Sequence, residues 1–83
     1  MPRFFFDIAD GPDYIDEEGV VLEGLNAARI EAVRLSGELL NSYPDRFWSV
    51  GDWSCTVKDN KGLILFVLHF YAQEASALQG ARP

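Results

Sequence analysis

The sequence has little of what catalytic, metal-binding and nucleic-acid-binding sites are built from. Its 83 residues include one cysteine, one histidine and seven Lys and Arg residues, against thirteen Asp and Glu residues, for a formal net charge of −6. A structural zinc site draws on four ligands, mostly Cys and His, and nucleic-acid binding needs a basic patch to neutralise phosphates. The composition therefore predicts no structural zinc site and no direct binding of nucleic acid.

Long apolar runs and glycine-rich loops are also missing. The longest apolar run, residues 63–68, is too short to span a bilayer, and the opening run of three phenylalanines is too short for the core of a signal peptide. Gly11, Gly19 and Gly24 are isolated, so no phosphate-binding loop is present. Cys55 has no partner for an internal disulfide, which favours a reducing compartment. We expect a soluble cytoplasmic protein without membrane association, cofactor or bound metal.

What is present is typical of one small globular domain. Hydrophobic residues make up 48% of the chain and charged residues 24%, which excludes a disordered or low-complexity chain. A domain of this size buries only about 63% of its extended surface, so its core is small. We expect a single domain over residues 1–71, followed by a C-terminal tail over residues 72–83 that is frayed or forms a short helix.

The first part of the chain predicts a strand, a turn and a weak second strand. Alternation in residues 4–8 places Phe4, Phe6 and Ile8 on one face and Phe5 and Asp7 on the other. Residues 10–13 form a turn signal because glycine and proline lie side by side there. A second strand begins at residue 14, is interrupted by residues 16–19 and continues extended over residues 20–22.

Residues 25–41 predict one amphipathic helix. Its apolar stripe comprises Leu25, Ala28, Ala32, Val33, Leu35, Leu39 and Leu40. Gly24 lies at the N-cap position, and residues 41–44 supply the stop signal. Arg29 projects into the stripe. We expect its stem to pack there while its guanidinium reaches a carboxylate such as Asp7 or Asp10; a site for an anionic ligand is the alternative.

The last part of the chain predicts a hairpin after a connection over residues 45–51. Residues 53–58 alternate with Trp53, Cys55 and Val57 toward the core, and residues 59–62 form the turn. Residues 63–70 are apolar on both faces, as in a strand that is buried on both sides. Two registers stay open. A two-residue loop sets the even-numbered residues beside Cys55 and Val57, and a glycine bulge sets the odd-numbered ones there.

The doubly apolar strand predicts an interface on the sheet face that the helix leaves uncovered. One helix covers one face of a small sheet, and apolar groups of the tail such as Ala72, Ala75, Ala77 and Leu78 give modest cover. We therefore expect a second copy or another protein to cover the second face. The candidate interface residues are Phe5, Leu63, Leu65 and Val67.

An acidic cluster occupies the segment before the helix. Seven of the thirteen acidic residues lie between Asp7 and Glu23, with no Lys or Arg in that segment. Their spacing does not match an EF-hand loop, which argues against a calcium site. A solvated loop or a surface for a basic partner remains, with Asp13, Asp16, Glu17 and Glu18 as the candidate contact residues.

Only one pair of residues offers nucleophilic chemistry. Under the bulge register, Cys55 and His69 come near each other as diagonal neighbours. A buried inert thiol and a strand-end imidazole explain the same residues more simply. We therefore expect no catalytic residues and no enzymatic activity.

Several of these segments together resemble a family of small bacterial proteins, common in alphaproteobacteria and described only as a domain of unknown function. They are residues 3–7 (RFFFD), 10–11 (DG), 16–19 (DEEG), 25–32 (LNAARIEA) and 57–59 (VKD), with Gly62 and Phe70. The resemblance covers the chain to about residue 70. It implies a compact bacterial cytoplasmic domain and marks Asp7, Asp16, Arg29 and Glu31 as motif positions. We expect structural roles for them, with Arg29 tying the helix to Asp7, and Asp16 with Gly19 shaping the turn.

These patterns together predict an α+β domain with the order β-β-α-β-β. It has a three- or four-stranded antiparallel sheet and one amphipathic helix across one face. The leading hypothesis for function is a non-enzymatic interaction or regulatory module that acts through a dimer or partner interface. The alternative is an acidic decoy, similar to an inhibitor or antitoxin, that binds a basic or nucleic-acid-binding protein.

Overall fold

The computed structural model confirms the α+β fold with an antiparallel sheet, and it describes residues 1–10 and 13–77. The predicted turn residues Gly11 and Pro12, and the tail from Leu78 onward, lie outside the described residues. The elements are β1 (Arg3–Ala9), β2 (Asp13–Tyr14), β3 (Val20–Val21), α1 (Leu25–Ser42), α2 (Pro44–Val50), β4 (Asp52–Lys58) and β5 (Ile64–Tyr71). Within this part of the chain, neither helix is long and apolar enough to cross a membrane.

The sheet runs in the order β2-β1-β4-β5, and the short strand β3 also pairs with β1. β2 lies opposite Ile8 and Ala9 near the end of β1, and β3 lies opposite Arg3 and Phe4 at its start. The Leu22 N–H donates to the Pro2 carbonyl at 3.0 Å and continues the β3 pairing. The weak strand signal over residues 14–22 therefore corresponds to two two-residue strands on one edge.

The core lies between the sheet and α1. Eight apolar residues are buried: Phe4, Phe6, Ile8, Ala28, Ala32, Trp53, Cys55 and Val57. Ala28, Ala32 and Ser36 are spaced four residues apart and are fully buried, so small side chains let the helix approach the sheet closely. Leu25 and Val33, which belonged to the predicted stripe, are exposed because the buried line of the helix passes through these small residues instead.

The connection predicted over residues 45–51 is in fact the helix α2. Pro44 begins it with a fixed φ, and Asp45 lies in its first turn. Gly51 ends it in the left-handed region at φ 75°, and the Gly51 N–H donates to the Phe47 carbonyl. Phe47 packs against the core, which explains why this short segment is helical.

The hairpin register combines features of the two that the sequence left open. Cys55 lies opposite Leu68 and Val57 opposite Phe66, as in the even-numbered register. A bulge between Val57 and Lys58 then brings Ile64 opposite Lys58. The turn is held by Asp59, whose Oδ1 accepts the N–H groups of residues 61 and 63 at 2.8 and 3.0 Å.

Candidate interaction surfaces

The carboxylate of Asp16 closes the gap between β2 and β3 on the outer edge of β1. Its Oδ2 accepts the Phe6 N–H at 3.1 Å, where a longer neighbouring strand would place a carbonyl. Its Oδ1 accepts the N–H groups of Glu18 and Gly19, each at 3.1 Å. The Asp16 N–H in turn donates to Asp7 Oδ1 at 3.0 Å. The Asp16 side chain thus provides the hydrogen-bond acceptor that a neighbouring strand would otherwise provide.

The electrostatics of Asp16 match this structural role. Burial opposes its ionisation, but the N–H groups of Gly19, Phe6 and Glu18 and the charge of Lys58 outweigh that effect, so the pKa of Asp16 is lowered. Its two oxygens are already occupied by backbone donors. Asp16 is therefore unsuited to the predicted acidic partner surface, although its predicted role in the turn agrees with these contacts.

Gly19 completes this closed edge. Its φ is 72°, in the left-handed region, and a Cβ built on it would lie 2.9 Å from the Phe4 carbonyl oxygen and 2.9 Å from a ring carbon of Phe5. Backbone and an aromatic ring thus approach the residue closely from two sides. Only glycine satisfies both conditions without a shift of the neighbouring chain.

The predicted tie between Arg29 and Asp7 is wrong. Lys58 Nζ lies 2.6 Å from Asp7 Oδ2, and Arg29 is exposed on α1. The reason is strand alternation: Phe4, Phe6 and Ile8 face the helix, so Asp7 faces away from it and is out of reach of Arg29. Glu31 pairs instead with Arg34 on the same helix at 2.7 Å.

The remaining acidic candidates are Asp13, Glu17 and Glu18. All three are exposed, Asp13 in β2 and the other two in the turn before β3. Arg3 Nη1 donates to the backbone carbonyl of Glu18 at 2.8 Å. The predicted four-residue acidic surface is thus reduced to three exposed carboxylates.

The other edge of the sheet is formed by β5, and its backbone groups can be assigned to one side or the other. In an antiparallel strand, successive residues direct their N–H and C=O groups to opposite sides. The backbone N–H of Phe6 points toward Asp16, so the odd-numbered residues of β1 direct their backbone groups toward β4. By the same alternation, the backbone groups of Trp53, Cys55 and Val57 in β4 point toward β5.

The same register assigns the groups of β5. Residues 66, 68 and 70, opposite the three core residues of β4, face inward. Val67, His69 and Tyr71 consequently direct their N–H and C=O groups outward, where no strand of the described chain lies. We call this row of backbone groups the β5 edge.

The sheet face opposite α1, here called the outer face, is apolar mainly along β5. Val67 and Tyr71 are 50% and 70% exposed, and Ile64 is 58% exposed. Toward β1 the face becomes polar, because Thr56 and the Asp7–Lys58 pair lie there. The outer face is therefore an apolar strip along one edge, not the continuous apolar face that the sequence pattern indicated.

The four predicted interface residues fall into two groups. Leu63 and Val67 are exposed. Phe5 is half-buried beneath the Gly19 turn, and Leu65 is half-buried against the core because the bulge turns it inward. Ile64 and Tyr71 are further exposed residues of the strip, which the sequence pattern did not indicate.

Cys55 and His69 do not come together. Cys55 is fully buried between sheet and helix, whereas His69 lies opposite Ser54 on the outer face, where its Nε2 pairs with Asp52 Oδ1. Burial raises the pKa of the Cys55 thiol to about 11. A thiol that stays protonated and buried is a poor nucleophile.

Within residues 1–10 and 13–77, no group of three or more His, Cys, Asp or Glu residues is arranged to hold a metal ion.

A family model for a domain of unknown function, DUF6894, matches residues 3–71. The chain belongs to the DUF6894 family. The matched range begins with the first residue of β1 and ends with the last residue of β5. Both edges of the sheet are therefore part of the DUF6894 domain. No curated protein and no solved structure matches the chain.

Two polar contacts of this DUF6894 domain had no signal in the sequence. Arg46 Nη1 lies 3.1 Å from Asp10 Oδ2, and His69 pairs with Asp52. The partners in these contacts are 36 and 17 residues apart, so only the packed chain brings them together. Sequence periodicity indicates contacts at helical or strand spacing, and neither pair has such a spacing.

Proposed function

We propose that this domain is a non-enzymatic interaction module that assembles through the β5 edge, and that its first partner is a second copy of the same chain. The observation that carries the proposal is an eight-residue edge strand whose outward backbone groups have no neighbouring strand in the described chain. Such an edge is a ready template for another strand.

The side chains of β5 favour pairing. Proteins that keep an edge strand free place lysine or proline on it, or keep it short. Residues 63–71 contain no Lys, Arg, Asp, Glu or Pro, and Ile64, Val67 and Tyr71 are exposed. The bulge lies at the start of the strand, so residues 66–71 are regular.

A second copy is the occupant that this edge fits without further assumptions. Two β5 strands can pair antiparallel about a two-fold axis, because each offers the same outward groups to the other. The apolar strips of the two copies then join across one continuous sheet, and burial of Val67 and its neighbours adds to the backbone hydrogen bonds.

The cellular setting is part of the same proposal. The single buried thiol of Cys55 and the resemblance to small bacterial proteins support a bacterial cytoplasmic module. Its acidic charge of −6 favours protein partners over nucleic acid.

The test is the oligomeric state of the full chain and three variants. Light scattering after size exclusion, between about 1 and 100 μM, covers the range in which a weak dimer dissociates. We expect the wild type to form a dimer. Val67→Lys places a charge in the strip, and His69→Pro removes one outward N–H, so both variants should be monomers with unchanged circular dichroism.

Val33→Lys is the matched control. Val33 is 58% exposed on α1, comparable to Val67 at 50%. Its substitution by lysine introduces the same charge at a position away from β5. This variant should stay dimeric. A wild type that is monomeric throughout, or a Val67→Lys variant as dimeric as wild type, contradicts the proposal. Loss of the dimer in Val33→Lys alone places the interface on the helix instead.

A further inference from the structure

A groove of about 650 Å³ lies between α1 and the closed edge of the sheet, on the opposite side of the molecule from β5. Its floor is apolar, with Phe6, Leu35 and Leu39 from the two layers. Its lip adds exposed apolar surface from Tyr14 and Val20. A polypeptide side chain of aliphatic or aromatic type fits such walls.

The rim of the groove is negative. Four carboxylates line it, from Asp10, Asp13, Asp16 and Glu31, against the single guanidinium of Arg46. Asp16 is occupied by backbone donors and Glu31 by Arg34, whereas Asp13 is exposed at the mouth. The lining charge excludes anionic ligands and attracts a cation.

Arg46 shows what the mouth of the groove can hold. Its Nη1 lies 3.1 Å from Asp10 Oδ2, and its guanidinium carbon lies 4.6 Å from the centroid of the Tyr43 ring. A carboxylate and an aromatic face together form a recognition site for a guanidinium or ammonium group. The Arg46 side chain is 51% exposed, so this contact costs little to exchange for an equivalent one.

We propose that this groove binds a segment of a partner protein that carries arginine or lysine beside apolar side chains, and that Arg46 occupies the cation position until the partner arrives. The partner's apolar side chain enters between Phe6 and Leu39, and its cation takes the place of Arg46 beside Asp10. This site is independent of the β5 edge and goes beyond the proposed function.

The probe is a short fluorescent peptide that alternates leucine and arginine, with binding followed by anisotropy on the full chain. Two matched peptides replace arginine by glutamate or leucine by serine. We expect only the leucine–arginine peptide to bind. Arg46→Ala frees Asp10 and Tyr43, so its affinity should rise about fivefold, while Arg46→Lys should stay near wild type.

Two double variants separate the groove from net charge. Asp10→Asn with Asp13→Asn removes two rim charges and should weaken binding about tenfold. Glu17→Gln with Glu18→Gln removes the same charge outside the groove lining and should change little. Equal loss in both double variants, or no gain in Arg46→Ala, overturns the proposal.

Val67→Lys distinguishes this proposal from the previous one. The variant changes β5 and leaves the groove intact, so it should bind the peptide as tightly as wild type does. Loss of peptide binding in Val67→Lys would contradict the groove and assign the binding to β5. Binding that persists in a strictly monomeric wild type would support the groove while the dimer proposal fails.

Discussion

At its β1 edge the sheet is covered by two short strands and the Asp16 carboxylate, whereas at its β5 edge an eight-residue strand pairs with β4 on one side and has no strand among the described residues on the other. The β1 edge is built from a segment dense in acidic residues, and the β5 edge from residues 64–71, which contain no Lys, Arg, Asp or Glu. The difference teaches that the sheet is protected from edge-to-edge pairing at β1 by individual side chains and short strands, and that β5 has no such protection.

The two edges also differ in how much of their structure depends on single residues. At the covered edge, one carboxylate and one glycine hold the turn over residues 16–19 against β1. At the bare edge, β5 is held by a regular ladder to β4 and by side chains that reach the core. Substitutions should therefore destabilise the covered edge and change the assembly of the bare one.

The largest expected loss follows Gly19→Ala. The left-handed φ and the 2.9 Å approach of the Phe4 carbonyl to the new Cβ should together lower the free energy of unfolding by about 2–3 kcal/mol. Urea unfolding of Gly19→Ala and wild type measures this loss. Gly62→Ala is the matched control, because Gly62 has φ 84° but nothing within 4 Å of its Cβ position, so only about 1 kcal/mol should be lost. Equal losses would show that the close packing of Gly19 contributes nothing.

Asp16→Asn should lower the free energy of unfolding by about 2 kcal/mol at neutral pH, because charge-assisted hydrogen bonds to three backbone donors are weakened. The pKa of Asp16 is lowered in the folded state, so its contribution is fully present above the ordinary value of 3.8 and is lost as the pH falls through the lowered value.

Urea unfolding of both proteins between neutral pH and about pH 3 checks the pH dependence of Asp16. The difference between wild type and Asp16→Asn should be constant down to about pH 4 and shrink below it. A difference that stays constant through the whole acidic range would show that the Asp16 charge is not what closes the edge.

Lys58→Met should have a smaller effect, about 1 kcal/mol in thermal or urea unfolding. It removes the 2.6 Å contact with Asp7, in which the two side chains are only 25% and 13% exposed. Arg34→Met breaks the pairs with Glu31 and Glu38 on the surface of α1, which solvent screens, so it should cost less than Lys58→Met does. The opposite ranking would mean that the polar half of the outer face adds no stability.

Ser36→Ala should have a small effect of the opposite sign and raise the free energy of unfolding by less than about 1 kcal/mol. Ser36 lies in the core that both edges share, and its hydroxyl contacts the Cys55 thiol but makes no hydrogen bond to any described residue. Differential scanning calorimetry reports the shift. A clear loss of stability would mean that the contact between the Ser36 hydroxyl and the Cys55 thiol stabilises the fold by more than burial of that hydroxyl costs.

Much of the fold follows from local patterns. The 3.6-residue period and its stop signals predicted α1 to within a residue, and alternation predicted that Phe4, Phe6 and Ile8 share one face, which is the core face of the structure. The helix α2 was missed although Pro44 and Gly51 mark its ends, because a seven-residue helix becomes stable only when Phe47 packs on the core.

The candidate sites were less predictable than the elements. A run of apolar residues does not reveal a bulge, so Leu65 was expected on the outer face where Ile64 lies instead. The same limit applies to charges. The sequence does not show which carboxylates of an acidic cluster face solvent and which, like Asp16, accept hydrogen bonds from three backbone N–H groups.

By itself, the sequence determined the class of the fold, the strand faces and the long helix, because periodicity and capping act between residues close in the chain. Only the tertiary structure decided which carboxylate seals an edge, which cation meets Asp7 and which strand is left bare. Those outcomes depend on distances between segments far apart in sequence, and a single side chain's reach of a few ångströms separates one partner from another.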